Sequence, residues 1–319
     1  MNDIINEIYG APILVPKIFR FSDVDQFRSS IRSLSVDFTP LVRKIAAEQV
    51  VLSLPGCDVN FTKSFPRIVD GQLAPNCTAV GFAMDDHEVP VRFNGAQRDR
   101  TAIVIGGGDA AYNTVEEVER QLASVIFTPE VRGRGWPETN ATFRIFETSA
   151  QALHRLRGLI REVLAVASEP ADAVELQMKA SAMKESLLAG IDAAFESVVP
   201  ARWTARANDE RHFRVFQDIR ALLLDDLAQP IYSQELAKKL GLSVRSMHDA
   251  VQRYRGMSLH RYLRLRRLWL VRKRLLAGPE SVKAAALAFG FWHLSDFSRS
   301  YRHQFGETPS QTLERARKA

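Results

Sequence analysis

The hydrophobic pattern of this chain changes period once, near Thr148, and that change limits most what the chain can fold into. From Val50 to about Thr128 it runs in short segments rich in Val, Ile, Phe and Thr, broken by Pro, Gly and Asn. Val50 to Leu54, Val59 to Thr62, Thr78 to Ala83, Val89 to Phe93, Thr101 to Ile105 and Ala123 to Phe127 read as strands. Their recurrence with turn residues between them predicts a small sandwich or barrel rather than βαβ units. Ahead of them, Ser22 to Arg32 places Val24, Phe27 and Ile31 at helical spacing and reads as an amphipathic helix packed on the barrel. Beyond Thr148, Leu153, Leu156, Ile160, Val163 and Leu164 form one helical stripe, in a helix from Gln151 to Ala167. Val174, Met178, Ala182, Leu188 and Ile191 mark a second helix from Ala171 to Glu196.

A chain of 319 residues has room for two ordinary domains. Residues 1–196 read as the first domain, 197–212 (with Pro200 and many polar residues) as a linker, and 213–319 as a second, all-α domain, so the fold class is α+β. Cys57 and Cys77 are too few for a disulfide scaffold and lack zinc spacing, so both read as buried thiols. The sequence has no apolar run of the ~18 residues a membrane span needs, and Met1 to Gly10 does not read as a signal peptide. The expectation is a cytoplasmic bacterial protein with no membrane partner.

The formal net charge of +6 hides a division. Residues 1–210 hold 22 Lys/Arg and 28 Asp/Glu, a net of −6, whereas residues 211–319 hold 21 and 9, a net of +12. Such an asymmetry points to a polyanion partner for the basic end, because its field attracts phosphate and releases counterions. A merely soluble basic surface has the same charge, so the motifs must decide.

Within Ile231 to Tyr254, Ser233 reads as an N-cap, Glu235 lies in the first turn where the helix dipole favours an acid, and Leu236, Ala237 and Leu240 give an apolar face. Gly241 ends that helix, and Ser243 caps a second one from Val244 to Tyr254. The same parts return forty-nine residues later: Ser281 as cap, an Ala-rich helix, Gly290 as turn, then a helix carrying Phe297, Tyr301 and Phe305. Between the two lies a helix marked by Leu259, Tyr262, Leu268 and Leu275 and studded with Arg261, Arg264, Arg266, Arg267, Arg272, Lys273 and Arg274. Helix-Gly-helix corners also occur in ordinary helical cores. Two of them on a strongly basic segment favour paired helix-turn-helix units, which read successive major grooves if their recognition helices stand about 34 Å apart.

The stretch GFWHLSDFSRSYRHQFGETPS resembles the signature of AraC/XylS-type transcription regulators at Gly290, Phe291, Ser295, Phe297, Ser298, Arg299, Phe305, Gly306, Thr308 and Pro309. The resemblance reaches back to about Phe213 and covers roughly a third of the chain; Trp292, His293 and the RRLWLVRKRL segment are most similar to the branch containing ethanolamine-utilisation regulators. It implies an N-terminal cupin-like barrel that senses a small molecule, a helical dimerisation element, and a C-terminal DNA-binding domain, in a homodimer. Double-stranded DNA, RNA polymerase and a small-molecule effector are the implied partners. The residues leave activation or repression open; an activator is expected from the resemblance alone. Departures from the family pattern are Met247 and Val251 where Leu and Phe are usual, Ala285 where Ile is common, and the acidic Asp249 where a basic residue often faces DNA.

The residues expected at DNA are Arg245, His248, Asp249 and Gln252 on the first recognition helix and Ser295, Ser298 and Arg299 on the second. Arg grips guanine O6 and N7 through two hydrogen bonds, and an acid accepts from cytosine N4 but is repelled by phosphate. Each has a blander role as a phosphate contact, a cap or a solvated side chain. Trp269 and Trp292 are expected in the core or at a hinge. No catalytic residue, cofactor or metal is expected. A metal cupin needs several His ligands, and residues 1–210 offer only His87 and His154. Gly106-Gly107-Gly108-Asp109 lacks phosphate-loop spacing and reads as a turn, and Asp85, Asp86, His87 and Glu88 read as a solvated acidic loop. The first expectation is thus a ligand-responsive transcription regulator; a regulator controlled by protein contacts, and a cupin-type enzyme with an accessory DNA domain, are the alternatives.

Overall fold

The computed structural model describes residues 13–86, 89–98, 102–139, 141–198, 207–225, 232–278 and 281–318, which fall into two compact units divided near residue 203. The first is built from β1 (Lys17–Phe21), α1 (Val24–Ser29), β2 (Leu34–Pro40), β3 (Ala47–Leu54), β4 (Cys57–Ser64), β5 (Arg67–Leu73), β6 (Thr78–Ala83), β7 (Val91–Phe93), β8 (Ala96–Arg98), β9 (Ala102–Gly106), β10 (Ala111–Glu116), β11 (Arg120–Phe127), β12 (Arg144–Glu147), α2 (Ala150–Ala167) and α3 (Ala173–Glu196). Its strands form two sheets, a seven-stranded one ordered β1-β3-β4-β11-β6-β9-β12 and a five-stranded one ordered β2-β5-β10-β7-β8. The strand pairings with a defined register are antiparallel. In place of the expected barrel, the described residues form two sheets, with no closed ring of strands among them.

Alternation along the strands assigns the two faces of the larger sheet. In β6, Val80 and Phe82 point outward to a core shared with Leu52, Val59, Ile103 and Val125. On that face α2 lays Leu153, Leu156, Ile160 and Val163, and α3 lays Ala180, Met183, Leu187, Leu188 and Ile191. Each fully buried aliphatic side chain of this kind contributes about 1.5–3 kcal/mol. The opposite face carries Ala79 beside Ile126 and Ile145, which meet Leu73, Phe93 and Phe143 in a second core. Both Cys57 and Cys77 are buried free thiols, and burial pushes the Cys57 thiol up to about 12.

Several expectations need correction. Strands β1, β2, β5, β8, β10 and β12 were not legible; in β5 and β10 buried polar residues interrupt the apolar pattern, Arg67 and Asp70 in the first and Asn113, Thr114 and Glu116 in the second. The leading helix is shorter than expected and starts at Val24, capped by the Asp23 carboxylate on the N–H groups of Asp25 and Gln26. In α3 the expected stripe splits, since Leu188 and Ile191 face the sheet while Val174 and Met178 are 72% and 70% exposed and Ala182 is also exposed. The acidic loop is not wholly solvated. Asp85 is held by Arg120 and by the Gln121 N–H, and Asp86 pairs with Arg157; His87 and Glu88 lie outside the described residues.

The second unit is helical: α4 (Ala207–Asp225), α5 (Ser233–Leu240), α6 (Val244–Arg255), α7 (Leu259–Ala277), α8 (Val282–Ala288), α9 (Leu294–Phe305) and α10 (Pro309–Lys318). Of the expected linker, residues 199–206 lie outside the described residues, and the chain is helical from Ala207. Phe216 of α4 stacks on Tyr254 of α6 and Phe213 packs tilted against it, with centroids 4.8 and 5.7 Å apart, which ties α4 to the first recognition helix. No helix among the described residues is long and apolar enough to cross a membrane.

Candidate nucleic-acid interface

In the first helix-turn-helix unit the N-cap of α5 is Tyr232, one residue before the expected Ser233. Glu235 supplies the cap from inside the helix, its carboxylate accepting from the Tyr232 N–H at 3.3 Å. Gly241 ends α5 in the left-handed region at φ 63°, which a side chain would disfavour. Ser243 then accepts from the Ser246 N–H at 3.0 Å and starts α6. Met247, Ala250, Val251 and Tyr254 are buried along one side of α6. Arg245, His248, Asp249 and Gln252 are exposed along the other, as their i, i+3, i+4 and i+7 spacing requires. His248 Nδ1 lies 3.9 Å from the Asp249 carboxylate.

The connecting helix α7 is capped by Ser258 on the Arg261 N–H at 3.2 Å and buries Leu259, Tyr262, Leu263, Leu265, Leu268, Val271 and Leu275. Its basic residues divide by depth. Arg261, Arg264, Lys273 and Arg274 are exposed, whereas Arg266, Arg267 and Arg272 are half-buried. Arg272 donates to Glu307 at 2.6 Å and lies 4.7 Å from the Phe305 ring, and Arg264 donates to Ser300. Arg255, at the end of α6, is 1% exposed with its guanidinium 4.5 Å from Phe216 and 5.5 Å from Tyr262. Nothing in the sequence marks Arg255 as buried, because its stacking partners come from α4 and α7.

The second unit repeats the plan with a tighter core. Ser281 caps α8 through the Ala284 N–H at 3.1 Å, Gly290 turns at φ 74°, and α9 buries Phe297, Tyr301 and Phe305. These rings run in series with Phe291 and Trp269, centroids 4.5–5.6 Å apart. On the open side Ser295 and Arg299 are exposed and Ser298 is half-buried. The Arg299 guanidinium stands 3.7 Å from the Asp296 carboxylate one turn earlier. Trp269 is half-buried against Phe305, in line with expectation, but Trp292 is 66% exposed. The turn puts it outside the core that Phe291 fills.

Behind this face Glu307 ties α7 to α10. It accepts from Arg272 at 2.6 Å, from Thr312 at 2.8 Å and from Arg315 at 3.1 Å. Burial alone would raise its carboxyl, but the hydrogen bond from Thr312 and the Arg272 guanidinium outweigh that and hold it below the usual 4.5.

The first unit contains a separate candidate site, a cavity of about 200 Å³ between its two sheets. Small residues make the space: Ala79, Gly81, Ala83 and Ala102 line the larger sheet where bulkier side chains would fill it. Gly71 acts on the other sheet, where a Cβ would stand 2.1 Å from the Tyr112 ring that pairs across from it. Polar groups converge on the same space. Arg67 donates to Glu116 at 3.0 Å and lies 4.5 Å from the Phe38 ring; Ser64 also donates to Glu116 at 3.0 Å. Ser30 donates to Gln49 at 2.7 Å, and Gln49 in turn to Asn60 at 3.0 Å. Burial pushes the Tyr112 phenol up to about 12, so it stays a neutral hydroxyl. Sequence reasoning named no residue here. The available signal was Gln49, Asn60, Thr62 and Ser124, polar side chains within strands β3, β4 and β11. Among the described residues no group of three or more His, Cys, Asp and Glu side chains is placed to hold a metal ion.

Residues 236–315 match a protein-family model described as a helix-turn-helix domain. The chain is 36% identical over 103 residues to the XylDLEGF operon transcriptional activator 3 of Pseudomonas putida, a match covering 31% of either chain. It is 33% identical over 105 residues to the HTH-type transcriptional activator RhaS of Klebsiella pneumoniae (strain 342), covering 33% of this chain and 36% of that one. The crystal structure of a probable AraC family transcriptional regulator from Rhodopseudomonas palustris CGA009 is 36% identical, with 32% of this chain and 97% of that one covered, at a TM-score of 0.30. The chain thus spans about a third of the length of these two curated relatives. The residues matched by the family model include both exposed recognition faces.

Proposed function

Because the chain belongs, through its C-terminal domain, to the AraC/XylS family of transcription regulators, we propose that it is a sequence-specific DNA-binding regulator that responds to a small molecule held in its N-terminal unit. The observation that carries the DNA half is the pair of recognition helices in one basic domain, each with an apolar side buried and a polar side left open. Arg245, His248, Asp249 and Gln252 read one half-site, and Ser295, Ser298 and Arg299 the other. The exposed basic residues of α7 contact phosphate, which positions the protein without specifying sequence. Selection of bound duplexes from a random pool, followed by footprinting, tests this. Two protected half-sites about one helical turn apart are expected, with affinity falling steeply as salt rises. A flat salt response would count against it.

The sensor half rests on the cavity between the sheets, and is supported by the resemblance, which implies a sensing pocket in the N-terminal unit. Its apolar walls and few converging polar groups suit a small amphipathic metabolite. A ligand that binds only the folded state raises the unfolding temperature, so a thermal-shift screen of the full chain against small metabolites tests the assignment. Substituting Gly81 by Leu should abolish any such shift while leaving DNA binding intact.

Control through protein contacts is the second reading, and the exposed Val174 and Met178 on α3 support it. We assign that face to a homodimer contact. A sedimentation measurement showing monomers at every concentration would remove it.

A further inference from the structure

The connecting helix α7 packs on each unit separately, through Tyr262 beside Arg255 at one end and Arg272 bonded to Glu307 at the other. Tyr232 adds a direct link from one unit to the other. Although it caps α5 of the first unit, its hydroxyl donates to the carbonyl of Gly290, in the turn of the second, at 3.5 Å. The same hydroxyl accepts from Trp292 Nε1 at 3.3 Å. The Tyr232 ring lies 5.4 Å from the Arg267 guanidinium, whose other aromatic neighbour is Phe291 at 5.2 Å. One residue from each unit thus closes on a half-buried cation of α7. Tyr232 and Trp292 are 41% and 66% exposed, so neither ring is there to fill a core.

We propose that Tyr232, Trp292 and Arg267 form a clasp that fixes the distance and rotation between the two recognition helices, and so sets the separation of the DNA half-sites the chain accepts. This rests on the DNA-binding reading above. Tyr232 and Trp292 are positioning residues here, acting through the placement of α6 and α9 rather than by reading bases. One added base pair moves the second half-site by about 3.4 Å and turns it by roughly 35°. A clasped domain cannot follow that displacement without breaking the Tyr232 hydrogen bonds.

The test uses the full chain, a duplex chosen from a random pool, and the same duplex with one base pair inserted or deleted between its half-sites. Wild type should discriminate strongly against both altered spacings. Tyr232→Phe removes only the bonded hydroxyl, and Trp292→Phe keeps an aromatic ring at an exposed position while losing the indole N–H together with its five-membered ring. Trp292→Phe should lower the ratio of native-spacing to altered-spacing affinity roughly fivefold, the scale of one hydrogen bond, and Tyr232→Phe, which also deletes the bond to the Gly290 carbonyl, should lower it further. The double variant should do no more than Tyr232→Phe alone, because that substitution already deletes the Tyr232–Trp292 bond. Arg267→Lys, which keeps the charge but loses the planar stack, should lower the ratio as well. Thermal melting of each variant, recorded alongside, should show a folded domain. An unchanged ratio overturns the clasp, and so does an equal loss at every spacing, which would make the pair a DNA-backbone contact. Failure of the wild type to select any duplex would instead remove the DNA reading and the clasp with it.

Discussion

The two helix-turn-helix units share a plan and differ in how they hold it. In the second, α9 is anchored by aromatic rings in series, Phe291, Phe297, Tyr301, Phe305 and Trp269, and by Glu307, which joins α7 to α10. In the first, α6 buries the smaller Met247, Ala250 and Val251, and its remaining support comes from α4 and α7, through Tyr254 and the enclosed Arg255. The second unit carries its rigidity within itself; the first borrows it from neighbours. The unit with the small core also carries the acidic Asp249 on its open face, while the aromatic unit carries Arg299. We propose a division of labour, in which the second unit fixes position and the first reads unusual bases.

The largest expected effect tests the packing difference. Phe297→Ala should destabilise the C-terminal unit by about 3–5 kcal/mol and Met247→Ala by nearer 2 kcal/mol, because the cavity left by a ring relaxes less than that left by a flexible thioether chain. Denaturant unfolding monitored by helix signal measures both, and equal costs would break the contrast.

Next in size is Arg299→Ala, with an expected loss of about 1–3 kcal/mol at the selected duplex and little change on random DNA. Parallel titrations decide it, since equal losses on the two duplexes would reduce Arg299 to a phosphate contact. Scrambling each half-site separately extends the comparison, and equal losses there would end the proposed division of labour.

Acid stability sharpens the contrast further. The Glu307 carboxyl is held below 4.5 in the folded state, so its stabilising contacts are complete above about pH 4.5 and are lost as pH falls through the folded value. Wild type should therefore lose thermal stability below that pH, and Glu307→Gln should show a shallower acid-side loss from a lower starting point. Parallel curves for the two proteins would show that the Glu307 network does not couple to pH.

The smallest effect concerns the first unit's open face. Asp249→Asn removes a charge that repels phosphate and should tighten binding to random DNA about two- to threefold at low salt, fading as salt screens it. Weaker cognate binding with no gain on random DNA would assign Asp249 to a base instead.

The second unit was almost wholly legible in sequence, because its caps, turn glycine and buried aromatics act over a few residues: Ser281, Gly290 and Phe297 do locally what the pattern requires. The first unit was legible to within one residue, with the cap moving from Ser233 to Tyr232 because the Glu235 carboxylate supplies the bond. The N-terminal unit was half legible. Outward positions such as Val80 and Phe82 follow simple alternation, but Arg67, Asn113 and Glu116 are polar residues inside, and nothing short-range shows that Glu116 and Phe38 lie beside Arg67. The cavity stayed hidden for the same reason.

What the sequence determined by itself is local: to within about a residue where the helices of the two helix-turn-helix units start and stop, which side of α6 and α9 is apolar, and that the basic charge belongs to the C-terminal third. These follow from backbone capping, from side-chain periodicity and from counting, all readable along one stretch of chain. Only the tertiary structure decided that Trp292 is exposed, that Arg255 is enclosed, that half of the α3 stripe faces outward, and that Tyr232 meets Gly290 fifty-eight residues away. Each depends on which surface another segment covers, and burial is a property of the neighbours rather than of the residue.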